Sequence, residues 1–409
     1  MFKKLMAATA LISASRFAAS AETISMWVRS GIGDSFKEVV KAYNAGHENK
    51  VELTEVPFAE LVQKYATAIA GGQAPDALSL DLIYTPAFAA AGQLEDLTDW
   101  SKALPYFNSL SPSHVKLGTY EDKIYGLPLT VETSIFAWNK DLYEKAGLDP
   151  EKAPKTWQEI TANAEKIRAL GGDTYGFYFS GGGCGGCMIF TFTPLTWGAG
   201  ADILSADGKT ATLDTPQMRK AVDIYRNMVE KDLVPAGAAS DNGVNFLSFT
   251  NGKIGQQSLG AFAIGTLVTQ HPEIDFGVTL IPGVDGKPSS FAGGDNFVVT
   301  KGTPRLEEVK EFLEYTYSPE GQKIMAKFGS LPTRGDIANE VLEGLDPRLK
   351  VGMEATPRQT PYTLQFNDLI NSANGPWATF TNAAIYGDDV DGAFSNAQDE
   401  MQSIIDAGQ

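Results

Sequence analysis

The amino-acid sequence predicts an α/β protein of about two domains. Three observations carry that expectation. Strand-like and helix-like segments alternate with short connections, as parallel βαβ units require. A length of 409 residues suggests about two domains. A composition with 43% hydrophobic and 20% charged residues is that of a globular chain with a large core.

The alternation starts at residues 22–28, ETISMWV, a buried strand. Asp34 and Ser35 can cap a helix whose Phe36, Val39, Val40 and Tyr43 repeat at i, i+3, i+4 and i+7. A second strand covers residues 51–56. A second helix carries Leu61, Tyr65, Ala68 and Ile69 and closes at Gly71 and Gly72, and a third strand covers residues 76–80. Further on, Thr156 and Glu159 form a capping box. Thr215, Thr303 and Ser318 each precede a proline as a helix start. Short strands are expected at residues 134–139, 277–282 and 296–300. Residues 127–134 and 279–296 are expected to cross between the domains.

The chain opens MFKKLMAATALISASRFAASA. Lys3 and Lys4 precede an uncharged, mostly apolar stretch over residues 5–15, and Ala19 and Ala21 are small at the two positions a signal peptidase reads. Arg16, just after the apolar core, departs from the usual layout. Eleven or so uncharged residues cannot span roughly 30 Å of hydrocarbon. Export with cleavage after about Ala21 is therefore expected, leaving a soluble chain. The net charge of −17 becomes still more negative when Lys3, Lys4 and Arg16 are lost. Such a chain is a poor partner for nucleic acid or anionic membranes.

Catalytic signatures are scarce. The three histidines, His47, His114 and His271, show no metal spacing, and neither H-E-x-x-H nor G-x-S-x-G occurs. DGKT at residues 207–210 lacks the upstream glycine of a phosphate loop. GDDVDG at residues 387–392 resembles half a calcium loop, but Gly387 and Gln398 stand where ligands belong. No metal, no cofactor and no enzyme activity are expected. A paired-carboxylate glycosidase stays open as an alternative, because the chain holds 50 acidic residues.

Aromatics and carboxylates do recur at predicted strand ends and in loops: Trp27, Asp34, Asp81, Glu132, Trp197 and Phe262, with Gly294, Asp295 and Asn296 together in the second crossing. In open α/β sheets ligands bind outside the carboxyl ends of strands. A pyranose lays its C–H faces on aromatic rings and donates hydroxyl hydrogen bonds to carboxylates. Bonds to an ionised acceptor are roughly twice as strong as neutral ones.

Cys184 and Cys187, the only cysteines, lie in SGGGCGGCMIF at residues 180–190. In an oxidising compartment so close a pair is expected to be a structural disulfide. Redox catalysis, half a metal site and free thiols are the alternatives. No helix-start signal follows the pair, which argues against a reactive C-x-x-C.

Several phrases in order resemble the extracellular solute-binding proteins of bacterial ABC importers, the family that includes maltodextrin-binding protein. They are AGGQAPDALSLD (70–81), AAGQLEDLTDW (90–100), YGLPLTVETSIFAWNKDLYEKAGL (125–148), PKTWQEI (154–160), FLSFTNGKIGQQSLGAF (246–262) and FAGGDNFVVTKGT (291–303). The resemblance implies a two-lobe, type II-like periplasmic binding protein fold with a ligand cleft between the lobes and a hinge of crossing segments. It places residues 22–131 with about 290–330 in one lobe, and about 132–289 with 331–409 in the other.

By that resemblance Glu132 matches a hinge-side glutamate that bonds sugar hydroxyls. Phe262 stands where a stacking tryptophan is common, Tyr362 falls in a segment that supplies aromatic contacts, and the glycine-rich cysteine loop borders the cleft. The implied function is a monomeric periplasmic component that presents a di- or oligosaccharide to the transmembrane permease. A glycerophosphodiester or phosphosugar binder of the same fold is the second reading, with Arg29, Arg334 and Arg358 as candidate phosphate partners. An exported polysaccharide-active enzyme is the third.

Overall fold

A computed structural model describes residues 21–354 and 358–408. The expected signal peptide, save its last position, lies outside them.

The N-terminal elements follow the expected alternation: β1 (Thr23–Arg29), α1 (Gly33–Gly46), β2 (Lys50–Val56), α2 (Phe58–Ala70), β3 (Ala77–Asp81), a 3-10 turn at Leu82–Tyr84, and α3 (Thr85–Ala90). Short elements come next: α4 (Thr98–Ala103), α5 (Pro112–Leu117), β4 (Thr119–Tyr120) and β5 (Lys123–Ile124). The long β6 (Gly126–Asn139) leads to α6 (Lys140–Lys145), α7 (Trp157–Arg168), α8 (Gly185–Thr191), α9 (Pro194–Trp197) and α10 (Pro216–Glu230). Then come β7 (Gln256–Gly260), α11 (Phe262–Gln270), β8 (Phe276–Thr279), β9 (Ile281–Pro282) and the long β10 (Pro288–Val299). The chain ends through α12 (Leu306–Thr316), α13 (Pro319–Ala326), α14 (Ala338–Val341), α15 (Leu349–Glu354), β11 (Arg358–Gln359), a π-turn at Asn367–Asn371, α16 (Pro376–Tyr386) and α17 (Val390–Ala407).

β1 pairs in parallel with β2 and β3, while β10 runs antiparallel between β3 and β6. Both faces of this sheet are covered. Phe36, Val39, Tyr43, Phe297 and Phe312 pack on one side, and Leu61, Tyr65, Leu78, Leu80 and Phe88 on the other. Double coverage buries the central β3 from Ala77 to Leu80, while the edge strand β2 keeps polar Glu52, Thr54 and Glu55. A larger core gathers Phe136, Trp157, Phe177, Phe192, Tyr225, Trp377 and Phe394.

β6 and β10 join the two regions. Residues 126–133 of β6 pair with β10, and Ser134 onward pairs with β7. The first expected crossing lies within β6, and the second runs from the end of β8 through β9 into β10, so β6 and β10 are the paired strands between the regions. Their backbone groups are satisfied by mutual pairing, so the connection is a ribbon with a defined register.

Three helix starts behave as expected. Thr156 accepts the Glu159 N–H at 3.2 Å, Thr215 accepts that of Met218 at 3.1 Å, and Ser318 that of Gly321 at 3.1 Å. Two differ. α1 begins at Gly33 with no side-chain cap, and Asp34 sits inside its first turn. α12 begins at Leu306, because the Thr303 hydroxyl is committed elsewhere: it donates to Asp76 at 2.7 Å and accepts the Arg305 N–H at 3.2 Å. A third expectation fails outright. A helix does follow the cysteines: Cys184 is the N-cap of α8, its Sγ accepting the Cys187 N–H at 3.1 Å. The sequence hides this start because sulfur replaces the usual capping oxygen.

Candidate functional site

The site grows from the register of β3, β10 and β6. Asp81 is the last residue of β3 and stands directly opposite Asp295 of β10. Like charges in that position repel. Relief comes from Arg29, the last residue of β1, whose Nε–H donates to Asp295 Oδ1 at 2.8 Å and Oδ2 at 2.9 Å. The Ser79 hydroxyl also donates to Asp295, and the Asp295 N–H donates to Thr130 Oγ1 at 3.0 Å. Asp295 is thus fully buried yet well partnered. A shift of register between Asp295 and Asn296 separates the two side chains' surroundings.

Two residues further along the pair, Glu132 of β6 faces Gly293. Its Oε2 is buried without a hydrogen-bond partner, and α11 starts beside it, the Ala261 N–H donating to the Thr133 carbonyl at 2.8 Å. Burial pushes the Glu132 carboxyl up to about 8; Arg29 and the Phe262 N–H oppose the rise, and Asp295 adds to it. Burial likewise pushes Asp81 up to about 7, helped by Asp295 and opposed by Arg29 and the Ile83 N–H. Burial works against the Arg29 cation, but Asp295, Asp81 and Glu132 together raise its pKa. Three carboxylates thus share one guanidinium; Asp81 also accepts the Ile83 N–H at 3.3 Å, and Glu132 Oε2 has no partner. The group is short of hydrogen-bond donors.

A cavity of about 570 Å³ opens from Arg29 and Asp81. One wall is α2 and the 3-10 turn with α3, through Phe58, Val62, Tyr84 and Phe88; the other is residues 364–368. Its size is in the range of small-molecule sites. Two contacts tie the walls: Asn371 Nδ2–H donates to Tyr84 Oη at 3.3 Å, and the Tyr362 hydroxyl donates to the Thr119 carbonyl at 3.3 Å.

Of the residues expected from the sequence, Asp81, Glu132 and Asp295 come together, with Phe262 beside Glu132. Gly294 lies between them at φ +116°, and a Cβ there would sit 2.1 Å from the Thr130 carbonyl, so it permits the bend rather than offering a contact. Tyr362 joins the two walls. Asn296 points away: it is fully buried and its Nδ2 donates to Thr85 Oγ1 at 3.3 Å and to the His114 carbonyl at 3.2 Å. Trp27 is half-buried against the Leu61 and Tyr65 cluster. Asp34 is exposed and paired with Lys37 at 3.0 Å.

Trp197 corrects the expectation most clearly. It is 2% exposed, its Nε1–H donates to Asp202 Oδ1 at 2.8 Å, and it packs near Phe291 in the core. A glycine-rich neighbourhood signals tight packing here, not an open loop.

The sequence offers Arg29 only as a candidate phosphate partner, and its place at the end of β1 is the signal that puts it in the site. Tyr84 was missed, although it follows Asp81 by three residues. Arg334 lies elsewhere, bonded to Asp336 and stacked on Tyr106 at 4.0 Å.

The geometry is that of a solute-binding cleft, and comparison with known proteins agrees. Residues 29–323 match the model of the bacterial extracellular solute-binding protein family, and the chain belongs to that family. A putative binding protein of Brucella abortus is 29% identical over 314 residues, 75% of this chain and 74% of that protein. The diacetylchitobiose binding protein DasA of Streptomyces coelicolor is 24% identical over 90% of this chain and 86% of its own length. The crystal structure of the cyclic alpha-maltosyl-1,6-maltose binding protein of Arthrobacter globiformis superposes with a TM-score of 0.83 at 23% identity, covering 94% of this chain and 99% of that one. The fold is the two-lobe fold of these solute-binding proteins.

Proposed function

We propose that this chain is the carbohydrate-binding component of an ABC importer, taking up a di- or oligosaccharide between its lobes. The observation that carries the reading is Asp81 and Arg29 in the lining of a two-walled cavity, with the Glu132 carboxylate, one oxygen of which has no partner, acting on the same Arg29. Sugar hydroxyls supply donors, and each bond to an ionised carboxylate is worth about 1.5–3 kcal/mol. Phe58 and Tyr84 in the cavity lining offer ring surface for the C–H faces. Arg29 acts through Asp295 and orients the acids.

The names of relatives support the ligand class: besides DasA, an arabinooligosaccharide-binding protein of Bacillus subtilis is 24% identical over 78% of this chain. The lobes are assigned as residues 22–131 with about 290–330, and about 132–289 with 331–409. A ligand touching both shifts the open–closed balance toward closure, and a permease reads the closed pair. No step of this role needs catalysis. The protein works in the periplasm after cleavage near Ala21, as a monomer. Arg29 is surrounded by three carboxylates, which disfavours a phosphate ligand.

Calorimetry and thermal shifts over a panel of neutral di- and oligosaccharides, with sn-glycerol 3-phosphate as comparator, test the reading. At least one sugar should raise Tm, and Glu132→Ala and Asp81→Ala should weaken its binding. A panel without a single response, or one in which only the phosphate binds, would sink it.

A further inference from the structure

The Cys184–Cys187 disulfide is half-buried and closes the turn that opens α8. It lies against two segments that lead to the cleft. On one flank both sulfurs cover Gly243: a Cβ there would stand 2.9 Å from Cys184 Sγ and 3.0 Å from Cys187 Sγ. The Gly243 carbonyl accepts the Phe246 N–H at 3.1 Å. The Phe246 ring stacks on Phe262 with centroids 6.3 Å apart, and the residue before Phe262 is tied to the strand of Glu132, the Ala261 N–H donating to the Thr133 carbonyl at 2.8 Å.

On the other flank Gly185 presses against the π-turn at Asn367–Asn371. A Cβ on Gly185 would come within 1.7 Å of the Ile370 carbonyl, and the Gly185 carbonyl accepts Trp377 Nε1–H at 3.1 Å. That π-turn carries Asn371, the partner of Tyr84 across the cleft.

We propose that Cys184 and Cys187 are a positioning pair for the cleft, their disulfide fixing the Phe246–Phe262–Glu132 flank and the Asn371 flank at once. The ligand part of this inference rests on the sugar-binding reading; the positioning part does not. A covalent ring this short removes few unfolded conformations. Its loss therefore lowers local order in these two segments rather than global stability. The bond is internal to residues 184–187 and both flanks meet that turn by packing, so opening it loosens the shape of the surface on which both flanks rest.

Dithiothreitol gives the test. Its two thiols pass two electrons and two protons to the pair, leaving Cys184 and Cys187 as thiols and the reagent as its cyclic disulfide. Amide hydrogen exchange is then compared between oxidised and reduced protein. The amides of Phe246, Leu369 and Ser372, bonded to Gly243, Gln365 and Asn367 carbonyls, should exchange at least tenfold faster on reduction. The amides of β1, β2 and β3 should not change. Reoxidation should restore protection, and a Cys184→Ser/Cys187→Ser double variant should match the reduced protein and ignore the reagent. Affinity for the sugar found in the panel should fall several-fold at nearly constant Tm.

Unchanged exchange in both segments overturns the proposal. So does acceleration spread evenly through the larger core, which would mark a general staple, and so does equal affinity in the two redox states. If no sugar binds, the functional reading falls, and the exchange measurement still decides the role of the pair.

Discussion

Replacing Glu132 with glutamine should flatten the loss of stability that the protein suffers as pH rises. The folded-state carboxyl sits at about 8 against an ordinary 4.5. Below about 4.5 it is protonated in both folded and unfolded chains, and its burial carries no charge penalty. Between those two values the unfolded chain gives up a proton that the folded chain keeps. Stability therefore falls with pH and reaches its floor above about 8. At 1.36 kcal/mol per pKa unit, the ceiling for this one group is about 5 kcal/mol. Water entering the cleft reduces that figure, though a buried ion still costs several kcal/mol after relaxation.

Glutamine keeps the shape, but it has no charge to bury. Urea unfolding of both proteins at steps from about pH 5 to about pH 8.5, followed by tryptophan fluorescence and far-UV circular dichroism, measures the difference and checks that the transitions coincide. The variant should gain about 2–4 kcal/mol on the wild type at the alkaline end. Asp81, raised in the same direction to about 7, acts alike in both proteins and cancels. Curves that stay parallel across the range would show that Glu132 is not buried as described.

Other consequences are open to test. Arg29→Met leaves the fully buried Asp295 without its cation and should cost about 3–5 kcal/mol in the same unfolding assay, most of it recovered by adding Asp295→Asn. Trp197→Ala should destabilise by about 3–5 kcal/mol through the cavity it leaves, while the folded fraction keeps its ligand affinity. Ligand hydroxyls bonding to ionised Asp81 and Glu132 should expel protons, so affinity should climb from about pH 6 to about pH 8. Calorimetry in two buffers of different ionisation enthalpy would reveal that release, and a proton-neutral reaction would contradict it.

The sequence by itself determined the local elements and the class of fold. Apolar strands such as residues 77–81 and amphipathic helices such as α2 follow from side-chain periodicity, which depends only on neighbours in the chain. The capping hydroxyls of Thr156, Thr215 and Ser318 were legible for the same reason. So were Asp81 at a strand end and the closeness of Cys184 and Cys187.

What required the tertiary structure is whatever depends on partners far away in sequence. Arg29 meets Asp295 across 266 positions, and no local pattern announces that pairing. Trp197 and Asp34 lie in stretches of similar polarity to true cleft residues; packing against Phe291 buries one, and the exposed first turn of α1 removes the other. The bend at Gly294 and Asp295 sends adjacent side chains into different surroundings, so Asp295 holds Arg29 from beneath the cleft and Asn296 turns to Thr85. The helix that follows Cys184 depends on a sulfur cap and on Ile370 and Trp377 lying against Gly185. Short-range preferences are written residue by residue. Burial and charge pairing are properties of the assembled chain, because they depend on which surfaces the sheet brings together.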